Sequence, residues 1–363
     1  MRAHLRRHRG LHLWLLSVLV LLGLYFALRE VPGLMTWLCG RVIWPMERAA
    51  AALCYLSPVS MAECLLMSLV AVGVFYLANT LRRLLQRRQR GRVLYRFALT
   101  LLCTGLSIYA ILCLGWGSFY YTPSFQQQSG LYARESTVEE LTRVTEYFAG
   151  QLADSADDVR RDENGLFAES RADIFADSVR AYENSYDEFP CLRLRDRVPK
   201  AISASTVLSA TDTTGFYFPL TGEANLNVDS PACYLPATIV HELAHQRGIA
   251  SEQECNFIAV VVSTRADSPA YRYSGWLLGF THLSNALYRA DQEAWQRVWA
   301  QLPDTVLADL RDNNAYWRSF QGPVNDAAQN WYDSFLKDNG EERGTQSYGA
   351  VVDLLMAYYG DDT

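Results

Sequence analysis

His241-Glu242-Leu243-Ala244-His245 sets two imidazoles four residues apart, with a carboxylate beside the first. On a helix, positions i and i+4 share one face, so His241 and His245 can offer two ring nitrogens to one metal ion. Glu242 stands about 100° further round the same helix, where it reaches water held by that ion. The chemistry this spacing points to is zinc-assisted hydrolysis. Zinc (Zn2+) lowers the pKa of water, and the carboxylate takes its proton as general base. Only six histidines occur in the chain, and three of them (His4, His8, His12) lie in a basic N-terminal tail. Apolar Ile239, Val240, Leu243, Ala244 and Ile249 surround the motif, so part of this helix is buried. A buried His-Glu-His needs a metal or dense hydrogen bonding.

Local signals define the helix that must carry these groups. Pro236 suits its first turn, where the missing N–H has no helical partner anyway. Gly248 is a good stop, because it can take the left-handed conformation past the last turn. A second helix then starts at Ser251, and Ser251-Glu252-Gln253-Glu254 reads as a capping box with Ser251 as N-cap and Glu254 as its reciprocal partner. That role for Glu254 leaves Glu252 freer to be the third metal ligand. Asn256 lies four residues beyond Glu252, on the same face, and is the expected hydrogen-bond partner of a ligand. Serine at position 251, where metzincins place a third histidine, excludes that variant. Tyr273, His282 and Tyr217 are candidates for stabilising an oxyanion, and the sequence does not choose among them.

Around the motif the expected architecture is α+β and mainly helical. Helical spacing marks Thr137–Leu152 and Leu166–Phe189. Ala201–Asn227 alternates β-branched and aromatic residues about a Pro219-Leu-Thr-Gly222 turn, which predicts two or three strands. Beyond Ala259 helices are expected over 252–266, 270–290, 291–300, 303–319, 324–338 and 346–359, with Trp276, Trp295, Trp299, Trp317 and Trp331 supplying a core.

The first third of the chain differs in kind. Residues 1–119 carry 14 Lys/Arg and 3 Asp/Glu, a balance of +11, whereas residues 120–363 carry 19 and 36, a balance of −17. Three apolar stretches, at about 12–29, 60–81 and 93–119, are long enough for transmembrane helices, the first uncleaved because no small-x-small site follows it. Between the first two, Pro32–Pro58 reads as an amphipathic segment at the interface. The basic tail and the basic loop Arg82–Arg92 belong on the cytoplasmic side, which puts residue 120 onward outside. The partners expected are therefore the lipid bilayer and an external protein or peptide substrate. The acidic domain shows no nucleic-acid motif. Eight cysteines lack zinc-finger spacing. Cys191, Cys233 and Cys255 allow at most one disulfide in the acidic domain, Cys191 with Cys233, and free buried thiols are the expectation. Cys255 reads as core filling, with thiolate ligation as the alternative.

The stretch HELAHQRGIASEQECNFIA resembles the signature of a bacterial membrane family numbered 3810 in the domain-of-unknown-function series, itself similar to gluzincin-type zinc peptidases. Gly215-Phe-Tyr-Phe-Pro with Thr221–Asn227, Tyr273-Ser-Gly275, Val324-Asn-Asp326, Ser347-Tyr-Gly349 and Val352–Leu355 resemble its other blocks, so the likeness covers nearly the whole chain. Glu252-Gln-Glu-Cys-Asn256 also resembles the ExxAD motif of HtpX and CAAX-protease membrane peptidases, with Cys255 for Ala and Asn256 for Asp. There the first Glu is the third zinc ligand, which falls on Glu252. The resemblance implies a zincin-like metallopeptidase domain after three membrane spans, a bacterial membrane location, and a strand (Gly215–Pro219 or Glu223–Val228) that pairs with extended substrate. It implies no particular substrate.

Overall fold

The computed structural model describes residues 7–31, 33–86, 89–338 and 348–360, without the side chains of 348 and 349. Arg2, His4 and Arg6 of the basic tail, Pro32, Arg87 and Arg88 of the basic loop, and Ser347 lie outside the described residues. The chain divides into two compact units. One holds residues 1–49 and 61–122, the other residues 50–60 and 123–363. The segment Ala50–Ser60, which the sequence places with the membrane region, thus packs with the C-terminal unit.

The first unit contains three helices long and apolar enough to cross a membrane: α1 (Arg9–Leu28), α3 (Met61–Leu85) and α4 (Arg90–Gly115). Between α1 and α3 lies α2 (Trp44–Cys54), within which the unit boundary falls. Val18, Leu22 and Tyr25 of α1 pack on Ala110 and Cys113 of α4, and Trp14 Nε1 donates to Ser107 Oγ at 2.9 Å. Tyr76 of α3 stacks on Phe97 of α4. Leu19, Val20, Val70, Val72 and Phe75 point outward, the reverse of a water-soluble bundle. The expected basic loop 82–92 is largely helical instead, since α3 runs to Leu85 and α4 begins at Arg90. Leu, Arg and Gln are good helix formers, and Gly91 is the only breaker in the stretch.

The second unit is mainly helical with one small sheet. The short α5 (Phe125–Ser129) precedes α6 (Val138–Ser155), whose start is fixed by a Thr137–Glu140 capping box. The long helix expected over Leu166–Phe189 is broken: α7 (Arg171–Asp177) is followed by separate 3-10 turns. Ser178 Oγ donates back to Phe175 O at 2.6 Å, which satisfies a carbonyl that continued helix would use. The expected strand region yields β1 (Lys200–Ala201), β2 (Gly215–Phe218) and β3 (Glu223–Leu226), with a helical turn α8 (Ser205–Ala210) between the first two. Strand order is β1-β3-β2, with β1 parallel and β2 antiparallel to β3, so β2 is an edge strand. The Pro219–Gly222 turn joins β2 to β3, Gly222 N donating to Phe218 O at 2.8 Å.

The remaining helices fall close to expectation: α9 (Leu235–Gln246), α10 (Glu252–Thr264), α11 (Pro269–Ala290), α12 (Gln292–Trp299), α13 (Asp304–Ser319), α14 (Pro323–Asp338) and α15 (Tyr348–Tyr359). The core forms where α11 packs on α6 and α10, and α9 lies between α10, α11 and strands β2 and β3. Phe148, Phe257, Phe280, Tyr271 and Leu283 fill it. Trp276 is buried and Trp295 and Trp299 pack against the core, but Trp331 is exposed and stacks on Phe335 at the surface.

Candidate metal centre

The motif helix α9 is held at both ends. Pro236 occupies its first turn as expected, and the freed Ala237 N–H donates to Ser274 Oγ at 3.1 Å. At the other end the buried Arg247 makes two 2.8 Å bonds to Asp196, donates to the carbonyls of Leu192 and Leu243, and lies over the Tyr182 ring. Tyr182 in turn donates to Val240 O at 2.7 Å. A cation at a helix C-terminus also suits the helix dipole. Gly248 takes the left-handed conformation (φ 84°), turning the chain so that Ile249 O comes back to 2.8 Å from His245 Nδ1.

One ligand atom from each of His241, His245 and Glu252 lies within 4.8 Å of the others. The two Nε2 atoms are 3.1 Å apart, and Glu252 oxygens stand 3.1 Å from His241 Nε2 and 3.6 Å from His245 Nε2. The opposite ring nitrogens are engaged elsewhere: His245 Nδ1 with Ile249 O, and His241 Nδ1 with Asn256 Oδ1 at 3.0 Å. Since both acceptors are carbonyl-type oxygens, each Nδ1 donates, which turns each Nε2 toward the shared point to hold either a proton or a metal ion. Two lone pairs and a carboxylate turned on one point repel unless a cation or proton lies between them. The donor set, two imidazoles and one carboxylate, therefore fits a zinc-type ion.

The electrostatics follow from burial and pairing. Burial raises the Glu252 carboxyl, but the His245 and His241 rings outweigh this and hold it well below its ordinary value. Burial lowers His245, while the Glu252 carboxylate and the hydrogen bond to the Cys255 sulfur more than offset that and hold it well above. Glu242 points into the gap between α9 and β2. Burial pushes its carboxyl up to about 7 against the pull of His241 and His245. It accepts from the Tyr217 backbone, and its Oε2 has no hydrogen-bond partner among the described residues. Its neighbour in β2 is Gly215, where a Cβ would stand 2.8 Å from Glu242 Oε1 and 2.9 Å from its Cγ.

Two sequence expectations change here. The Ser251–Glu254 capping box does not form: Ser251 is the N-cap residue of α10, but its side chain makes no capping bond. Glu254 turns away from the histidines and accepts from Phe125 N at 2.7 Å and Gln126 N at 3.1 Å, anchoring the first turn of α5. Its structural duty is real but lies in a segment distant along the chain, invisible to a local pattern. Cys255 sits on the Nδ1 side of His245, 3.3 Å away, and burial pushes its thiol up to about 11, so it fills space as a neutral thiol. All eight cysteines are free, Cys191 exposed and Cys233 buried.

Of the oxyanion candidates, Tyr273 is buried and its hydroxyl is committed to Asp309 Oδ2. His282 is half-buried in α11, and desolvation of its ring lowers it to about 4. Tyr217 lies on the edge strand. Sequence reading missed Tyr332 of α14, whose hydroxyl donates to Glu252 Oε1. It lies 80 residues from Glu252, and no local spacing signals such a contact.

The chain belongs to the family described as "Protein of unknown function (DUF3810)", whose pattern matches residues 45–356. No curated protein and no solved structure matches it.

Proposed function

We propose that this member of the DUF3810 family is a membrane-anchored, zinc-dependent metallopeptidase that hydrolyses peptide bonds outside the bacterial cytoplasm. The observation that carries the reading is the convergence of His241 Nε2, His245 Nε2 and the Glu252 carboxylate on one point beside the buried, unpartnered Glu242 Oε2. Zinc bound there would supply Lewis acidity toward water and a substrate carbonyl.

Glu242 is poised for the proton work. With its carboxyl near 7 it is part-ionised at neutral pH and takes a proton from the attacking water. The water oxygen bonds to the carbonyl carbon, the C–N bond breaks, and Glu242 hands its proton to the departing nitrogen. Asn256 and the Ile249 carbonyl hold the two imidazoles in the tautomer that keeps Nε2 available. Tyr332 orients Glu252 and places a hydroxyl beside the site. The gluzincin likeness and a zincin-like fold are supported by the motif helix packing on a small sheet whose edge strand β2 adjoins the general base. An extended substrate would pair along β2 by strand addition.

The external location is supported by charge bias and by parity. With three spans, the chain between the first two and the chain after the third emerge on the same side, and Ala50–Ser60 packs with residues 123–363.

The test is the substitution Glu242→Gln. It keeps size and the metal ligands but removes the base, so it should preserve zinc and lower turnover roughly 10²–10⁴-fold. A deletion phenotype fully restored by Glu242→Gln but not by His241→Ala would instead make this a zinc-bearing sensor or scaffold. Turnover of a cell-wall or lipid-linked amide in place of peptides would make it a hydrolase of a cell-envelope amide.

A further inference from the structure

Ala50–Ser60 is strapped to the sheet by its backbone. The buried Lys200 ammonium donates to the carbonyls of Cys54, Ser57 and Val59 while pairing with the buried Glu223 at 3.2 Å. Arg197 Nη1 donates to Ala51 O at 3.1 Å, and Ser60 Oγ donates to Asn225 Oδ1 at 2.7 Å. Tyr55 OH accepts from Ala224 N and from Gln246 Nε2, and Gln246 directly follows the ligand His245. With these polar atoms turned inward, the side chains left outside are apolar. Leu56 is 82% exposed and Leu53 71%, and Val59, Val198 and Leu220 are exposed too. Leucines this exposed on a folded domain call for something that covers them.

Two observations identify the cover. Ser60, pinned to β3, is followed at once by Met61, the first residue of a helix long and apolar enough to cross a membrane. Consecutive Cα atoms are about 3.8 Å apart, so the rim cannot lie far from where that helix enters lipid. The second observation is charge. In a stretch whose balance is −17, Arg193, Arg195 and Arg197 alternate along one exposed segment that runs directly into Val198 and Lys200. Basic side chains beside exposed leucines are the composition of a surface that seats on anionic headgroups.

We infer that the rim formed by Leu53, Leu56, Val59, Val198 and Leu220, flanked by Arg193, Arg195 and Arg197, rests in the interface of an anionic phospholipid bilayer. The Tyr55–Gln246 contact then places the ligand end of α9 at the membrane surface. Resting on the peptidase reading, the substrates are membrane-proximal polypeptide segments, cleaved where they leave the bilayer.

The test uses the full chain in phosphatidylglycerol-containing nanodiscs, with the accessible Cys54, Cys64 and Cys191 changed to Ser. A nitroxide is placed at Leu56→Cys or, as a control on another exposed position, at Tyr288→Cys. The label at 56 should lose collisions with a water-soluble nickel chelate and keep those with oxygen, and the label at 288 should do the opposite. Arg193→Gln with Arg195→Gln, or neutral phosphatidylcholine discs, should restore nickel access at 56. A label at 56 as open to nickel as that at 288 would overturn the inference. So would one closed to both reagents, which would mean a protein partner covers the rim. The readout does not need the metal: a lipid-seated label in protein that holds no zinc would sink the peptidase reading and leave the rim intact.

Discussion

Gly215 on the edge strand and Glu242 on the motif helix are packed so closely that a methyl group on the glycine would stand 2.8 Å from the carboxylate oxygen. The Asn225 carbonyl, 3.0 Å from the same Cβ position, blocks the other way out. Gly215→Ala must therefore displace the carboxylate, and none of its close contacts is with His241, His245 or Glu252. The expected outcome is unchanged zinc content with turnover lowered roughly 10²-fold, the scale of an ångström of misplacement. Side-by-side zinc analysis and rate measurement on the variant check it. Loss of zinc would show that the strand supports the ligands instead.

Asn256 fixes the His241 ring through a 3.0 Å bond to Nδ1. Asn256→Ala should weaken zinc retention about 10–100-fold, the range seen when a ligand's hydrogen-bond partner is removed. Glu254→Ala, which cuts the anchor of α5, should leave zinc affinity near that of the wild type while lowering thermal stability. Competition with a chromogenic chelator measures both, and equal losses of affinity would contradict the assignment.

Glu242 gives a pH signature in the zinc-free protein. Its carboxyl moves from 4.5 to about 7 on burial, so the folded state binds the proton more tightly than the unfolded one. Stability from this group is present below pH 4.5 and is lost as pH rises toward 7, by up to about 3 kcal/mol. Glu242→Gln has no such group. In chelator, its advantage in melting temperature over wild type should grow between pH 4.5 and 7 and then level off. A constant difference would mean that Glu242 is not desolvated.

Arg247 and Asp196 are both buried, so removing one strands the other. Asp196→Ala should cost about 3–5 kcal/mol, read from urea melts. Loss of this pair frees the C-terminal end of α9, so zinc retention should fall together with stability.

The helical part of the domain was legible because periodic apolar runs, with Pro236 and Gly248 bounding the motif helix, are local signals. The meeting of His241 and His245 was legible for the same reason, since i,i+4 spacing alone puts the two rings together. What escaped depends on distance along the chain. Glu254 finds its donors at Phe125 and Gln126, Tyr332 reaches Glu252 from α14, and Lys200 gathers carbonyls from Cys54 to Val59. The helix expected over Leu166–Phe189 failed for another reason. Ser178 bonds its own backbone at the end of α7, and apolar spacing does not register that competition.

The peptidase reading stands on a metal ion held by His241, His245 and Glu252. Elemental analysis of the full chain, purified in detergent without chelators, tests it most directly. About one zinc per chain is expected, as a site with three protein ligands implies. The zinc should be absent from His241→Ala and His245→Ala, depleted in Glu252→Ala, and present in Glu242→Gln and Glu254→Ala. A folded wild-type protein that carries no zinc, and takes up none when it is supplied, would contradict the account.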